Sequence, residues 1–330
     1  MSLPQRCEAF AKQFGLRYPI LQAPTGSIAG PELASAVSSA GAMGAMALTW
    51  PAPDVAAEHV RAVKAATEAP FQVNFALAFP PKSLEAALAA GAPVVTFSWG
   101  DPADYVPMVR RAGARLGIQV TNAEGARRAL EHSPDFLICQ GVEAGGHVQA
   151  MRELRTVLEE VLAVCGGVPV VASGGIGDGT AMAAALTLGA SAVMLGTRFV
   201  ATQESRAHPE YKRLLVSAQS ADTALTVCYE GGWPYAAHRV VRNSTLDEWE
   251  ASGCPPVGQR PGEGDVLGTT ADGQPILRYE DTAPRLGFQG DIPAMCCYAG
   301  TSCAAIQDLP PAGELVERLW EECRKAMENG

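Results

Sequence analysis

The chain has 330 residues, 48% of them hydrophobic and 18% charged, and a net charge of −10. That length suits one large barrel, or one domain with an elaboration, and the composition is that of a well-cored globular protein. The acidic balance offers no basic stripe for nucleic acid, no apolar run approaches the roughly 20 residues of a membrane span, and the N-terminus lacks a signal peptide's apolar region, so neither partner is expected and the location expected is cytoplasmic.

In chain order, the first short apolar run of β type is Tyr18–Gln22, ending in "LQAPTGS". A helix follows in "PELASAVSSAG", with Pro31 in its first turn, Leu33 and Val37 on one face and Gly41 as its stop. Gly44–Leu48 is the second run. The helical pattern "DVAAEHVRAVKAAT" comes next, with Asp54 read as its cap and Val55, Val60 and Val63 as its buried stripe. Further runs are Phe71–Phe75, Val94–Ser98 and Arg115–Val120; "NAEGARRAL" then starts a helix at a capping Asn122. Phe136–Gln140, Val168–Ala172 and Ala192–Leu195 complete eight, with a helix over "DGTAMAAALTLGA" beginning near Asp178. Runs spaced about 20 to 30 residues apart with helices between them predict an α/β protein, a parallel (β/α)8 TIM barrel. After about residue 220 the rhythm gives way to Gly and Pro, with one hairpin-like Asp272–Gly273 turn. The expected organisation is a barrel over 1–220, a smaller and partly irregular subdomain over the barrel mouth at 221–300, and a C-terminal helix within 301–330 that closes the barrel. That helix carries Leu315, Leu319, Cys323 and Met327 on one stripe. Nine cysteines without CxxC spacing read as reduced thiols and not as a metal site; Cys296–Cys297 reads as two core or loop thiols.

Active sites of such barrels lie at the C-terminal strand ends, with phosphate often held after strands 7 and 8. "ASGGIGDG", with Gly174 and Gly175, follows strand 7, and "LGTRF", with Leu195, Gly196 and Thr197, follows strand 8. Small residues there let backbone N–H groups point at phosphate oxygens, and Thr197 adds a hydroxyl. The glycines miss the dinucleotide-binding spacing and follow the wrong strand for it. Asn74 inside an apolar strand is either a satisfied core amide or a ligand-facing one. Gln119 and Gln140 end strands 5 and 6, and a flat isoalloxazine with N and C=O edges fits such a ring of amides. Gly145–Gly146 would let the main chain pass against a flat ring or a phosphate and hold His147 over the mouth. There its imidazole can serve as base, acid or anion-binding cation. Glu143 reads as structural, and His238 is a second histidine that the subdomain could bring near.

"LQAP", "PELASAVSSAGAMGAM", "VNFALAF", "QGVEAGGH", "VVASGGIGDG" and "GASAVMLGTRFVAT", in this order over about residues 15–205, resemble the nitronate monooxygenases, also known as 2-nitropropane dioxygenases. The resemblance implies a TIM barrel with noncovalent FMN, His147 as catalytic residue, and oxidation of alkyl nitronates by O2 to a carbonyl compound and nitrite. It implies FMN contacts at Ala23, Pro24, Thr25, Asn74, Gln140, Gly145, Gly175 and Met194–Thr197. The partners are then a small-molecule nitronate and O2, with homodimerisation left open. Two departures stand out: Thr25 where family members commonly carry Met, and "YAGTS" where they commonly carry "AGQ". The same scaffold also serves NAD(P)H:quinone reductases and flavin-type enoyl-acyl carrier protein reductases. A flavinless binding barrel is the reading from a different class.

Overall fold

In a computed structural model, which describes residues 4–233 and 236–329, eight parallel strands close into a barrel. In chain order they are β1 (Ile20–Gln22), β2 (Gly44–Ala47), β3 (Phe71–Ala76), β4 (Val94–Ser98), β5 (Arg115–Val120), β6 (Phe136–Gln140), β8 (Val170–Ser173) and β9 (Ala192–Leu195). A two-residue strand, β7 (Gly146–His147), lies outside the barrel. β9 pairs with β1, and the Gln22 N–H donates to Met43 O at 2.9 Å, which joins β1 to the residue before β2. The seventh barrel strand starts two residues later than expected. Val168 donates its N–H to Cys165 O, closing a turn through Gly166 and Gly167 at φ 59° and 87°, and Pro169 has no N–H to give a neighbouring strand.

The alternation of strand side chains divides the core in two. Outward residues such as Val73, Phe75, Leu137 and Leu195 pack against the surrounding helices. Inward ones, including Leu21, Phe136, Ile138, Val171 and Met194, form a plug. Helix Gln5–Phe14 covers its lower end, with Phe10 and Phe14 edge-on to Phe136 at 5.9 and 5.3 Å. Gly117 makes room for that ring, since a Cβ there would stand 2.4 Å from it.

Helix starts follow local chemistry. Asn122 accepts from Gly125 N–H and Asp178 from Ala181 N–H, each contributing about 1 kcal/mol of helix stability. Asp54 is not a cap: Pro53 opens that helix and places Asp54 inside the first turn. In the same register Ala56, Ala57, Val60 and Val63 face inward and Val55 is exposed. The C-terminal helix Ala312–Asn329 packs against helices Gly179–Leu188 and Pro31–Ser39, outside the β9–β1 seam. It approaches Gly179 so closely that a Cβ there would lie 2.3 Å from Cys323 N.

Beyond residue 220 lie two small antiparallel sheets. β10 (Thr223–Thr226) pairs with β11 (His238–Val241), and β11 pairs in turn with β7, setting His238 opposite His147. β12 (Val266–Thr269) pairs with β13 (Pro275–Leu277) through a hairpin with Gly273 at φ 82°, and with β14 (Gln289–Gly290). Ile276, Phe288, Ile292, Met295 and Cys297 share an apolar cluster with Val200, Tyr211 and Leu215, which follow the last barrel strand. No helix among the described residues is long and apolar enough to cross a membrane.

Candidate functional site

The barrel strand ends and the segment after residue 220 enclose a cavity of about 510 Å³. Its floor is polar backbone and amide. Asn74 donates from Nδ2 to Thr96 O and Oγ1, both at 3.1 Å, so its amide nitrogen is satisfied by β4 while the residue lines the cavity. Gln140 spends its side chain on the loop that follows it: Oε1 accepts from Gln149 N–H at 3.0 Å and Nε2 donates to His147 O at 3.4 Å. Gln119 Nε2 donates to Gln149 Oε1 at 2.8 Å. These two amides hold the loop that carries His147. Glu143 anchors the same loop by accepting the Leu154 N–H through both carboxylate oxygens.

The glycines have separable reasons. Gly145 passes against main chain, not against open space: a Cβ there would meet Gly300 N at 2.4 Å and Ala299 C at 2.6 Å. Gly146, at φ 74°, has no atom of the described residues within 4 Å of its missing Cβ. Gly174 and Gly175 follow β8 at φ 111° and 70°, the left-handed region that favours glycine. Thr197 Oγ1 accepts from Gly300 N–H at 2.9 Å, which leaves the hydroxyl proton for another acceptor. Thr25 Oγ1 is buried in the cavity wall without a partner among the described residues. A buried hydroxyl without a partner is uncommon and calls for a group to meet it. The unmet Thr25 hydroxyl, the free hydroxyl proton of Thr197 and the side-chain-free backbone at Gly174 and Gly175 together fit a flat, phosphate-bearing heterocycle such as a flavin mononucleotide.

His147 stands above this floor. Its ring stacks on Trp233 at 4.0 Å and 18°, and its Nε2 lies 4.0 Å from Asp281 Oδ2, too long for a hydrogen bond. Burial, and then the neighbouring His238, push the His147 imidazole down to about 3, so it is uncharged at neutral pH. Burial also pushes the Asp281 carboxyl up to about 6. His238 is fully buried and has both ring nitrogens engaged. Nε2 accepts from Tyr229 N–H at 3.3 Å, which leaves Nδ1–H to donate to Ala236 O at 3.1 Å. It is a structural, neutral histidine whose place is behind His147.

Of the residues singled out in the sequence, Ala23, Pro24, Thr25, Asn74, Gln119, Gln140, Gly145, Gly146, His147, Gly174, Gly175, Met194, Gly196 and Thr197 all line this one cavity. Leu195 does not: alternation along β9 turns it outward, and it reaches the site only through its carbonyl, which accepts from Ala23 N–H at 2.8 Å. Sequence reasoning missed Trp50, Trp99, Trp233, Asp281, Arg285 and Tyr298, which also line it. A usable signal existed for Trp99 alone, a bulky residue directly after the fourth strand; its φ of 62° is a strained conformation of the kind that clusters at functional sites.

The family model described as "Nitronate monooxygenase" matches residues 8–85 and 80–322. The nitronate monooxygenase of Pseudomonas aeruginosa is 32% identical over 365 residues, covering 96% of this chain and 99% of that one. Among solved structures, FabK from Thermotoga maritima superposes with a TM-score of 0.82 at 28% identity, covering 97% of each chain. The nitroalkane oxidase of Streptomyces ansochromogenes superposes with a TM-score of 0.77 at 28% identity, covering 97% of this chain and 99% of that one.

Proposed function

From the premise that this chain belongs to the nitronate monooxygenase family, we propose that it oxidises alkyl nitronates with O2, giving a carbonyl compound and nitrite, on bound FMN. The observation that carries the reading is the joining of His147 and the glycine-and-amide cradle in one cavity. Thr25, Gly174, Gly175, Gly196 and Thr197 would hold the phosphate and ring edge, and Asn74 would lie beside the ring. The flavin supplies the electron transfer from substrate and the reaction with O2.

The chain's own part is positional and protonic. Trp233 against one face of His147 restricts the imidazole, and Gln140 and Gln119 hold its loop. Burial leaves that imidazole uncharged, so it can accept a nitroalkane α-proton but is weakened as a base, while toward a preformed nitronate it offers one N–H donor instead of a cation. Among the described residues, the permanent cation on the cavity wall is Arg285, and its buried Nε has no partner there.

The test is the visible spectrum of the purified protein, then nitrite release from nitroethane, its nitronate and propionate 3-nitronate in air. A flavin spectrum with cofactor released as FMN, together with nitrite from a nitronate, supports the proposal; FAD, or colourless protein that cannot be reconstituted, sinks it. Likeness to FabK favours a reductase as the second reading. In that case anaerobic NADH or NADPH bleaches the flavin at once and no nitronate yields nitrite.

A further inference from the structure

Four aromatic rings crowd the cavity's mouth. Trp50 lies 5.8 Å from Phe79 and 5.9 Å from Trp233; Phe79 and Trp99 each lie 5.0 Å from Trp233. Trp50, Trp99 and Trp233 line the cavity itself, and Trp233 continues the array down to His147. Trp50 is 52% exposed, an expensive place for an indole unless something covers it. The four come from separate places, the loops after β2, β3 and β4 and the segment after β10, so no local sequence pattern obliges them to meet. Trp99 is held there against its backbone preference.

The charges around the mouth narrow the occupant. The described cavity wall carries one carboxylate, Asp281, 4.0 Å from His147, and one guanidinium, Arg285. Aromatic faces carry negative electrostatic potential and repel anions, while they attract the edge of another ring. A substrate with a single anionic end and a planar apolar end matches this wall. A substrate with a second carboxylate would bring that charge against indole faces and Asp281.

We infer that the mouth of the cavity is a receptor for an aryl group, and that the protein prefers arylalkyl mononitronates to small or carboxylate-bearing ones. This rests on the nitronate reading of the same site. It would make the physiological substrate the nitronate of an aryl-substituted nitroalkane.

The experiment compares kcat/KM for nitrite release from the preformed nitronates of 2-phenyl-1-nitroethane, nitroethane and 3-nitropropionate, using the flavin-loaded full chain. Burial of a phenyl ring in the mouth should favour the aryl substrate by about 10- to 100-fold, mostly through KM. Trp50→Ala should collapse the aryl-to-ethyl ratio by about tenfold and Trp50→Phe should keep most of it, an outcome a merely structural role would not produce. A binding arm is independent of turnover: 2-phenylethanol should perturb the flavin spectrum with a Kd at least about tenfold below that of 1-butanol. Equal affinity for the two alcohols, or an aryl-to-ethyl ratio near one or unchanged by Trp50→Ala, overturns the inference. Tight 2-phenylethanol binding without nitrite from any nitronate upholds the aryl receptor and sinks only the nitronate reading.

Discussion

The floor of the cavity and its roof are held by different forces. The floor is main chain and amide at the ends of β1, β3, β5, β6, β8 and β9, tied into the parallel ladder on both sides. The roof is Trp233, Asp281, Arg285 and Tyr298, from a segment whose sheets are three short strands each. It joins the floor by pairing β11 with β7, by apolar packing, and by hydrogen bonds such as Gly300 N–H to Thr197 Oγ1 and Arg239 Nη2 to Val142 O, each at 2.9 Å. On the proposed reading, the two parts would divide the labour, with the floor retaining the cofactor and the roof setting protonation, turnover and selectivity.

The largest expected effect tests that division at the residue where the two meet. His147→Ala should keep its flavin and lose about 10²–10⁴-fold in turnover, because a general base is removed while the cradle is untouched. The loss should be greater with neutral nitroethane than with its nitronate, which has already lost its proton. A colourless variant, or one fully active on both, would show that floor and roof are not separable in this way. Next comes the floor itself. In Gly175→Val the new side chain starts 3.1 Å from Glu143 Cβ and occupies φ 70°. Strain of that kind costs about 1–3 kcal/mol, so flavin retention should weaken roughly tenfold to hundredfold on dialysis.

Asp281→Asn probes the roof alone. A carboxyl raised to about 6 is protonated more readily in the folded chain than in the unfolded one. Its neutral form is therefore accommodated at low pH, and that share of stability is lost as pH rises from about 4 through 6, by at most about 3 kcal/mol. His147 runs the other way: its lowered value adds a loss as pH falls from about 6.5 toward 3. Thermal unfolding of the wild type and Asp281→Asn between pH 4 and 8 should show the variant gaining a few degrees at the alkaline end only. A constant difference across that range would mean the carboxyl is not held in an apolar setting. The smallest effect is Thr25→Val. Removing an otherwise unpartnered buried hydroxyl should leave stability near unchanged and weaken flavin by about 0.5–1.5 kcal/mol, read as a threefold to tenfold rise in Kd. No change in Kd would mean that the hydroxyl meets nothing when the site is filled.

The barrel was legible from sequence because each of its units is local. A buried parallel strand is a continuous apolar run, and a helix after Asn122 or Asp178 announces its own cap, so period and punctuation were enough. Errors arose where neighbouring backbone decided, as at Pro53, which displaced the expected cap, and at Pro169, which delayed β8. The floor of the site was legible for the same reason, since strand ends can be counted from strands, and His147 follows the sixth by a fixed loop.

The purpose of Gly145 was not legible, because the backbone it makes room for, Ala299–Gly300, lies about 155 residues away in sequence. Nor were the roles of Gln119 and Gln140, whose amides are spent on the loop they support. Trp50, Phe79, Trp99 and Trp233 carry no mutual periodicity, and Asp281 sits in a Gly- and Pro-rich stretch with no pattern at all. The sequence by itself determined the eightfold repeat, the end of the barrel where the cavity opens and the histidine that lines it. Only the tertiary structure decided that this histidine is uncharged, stacked and facing a carboxylate. Charge state and ring packing depend on burial among groups distant in the chain, and burial is a property of the folded whole.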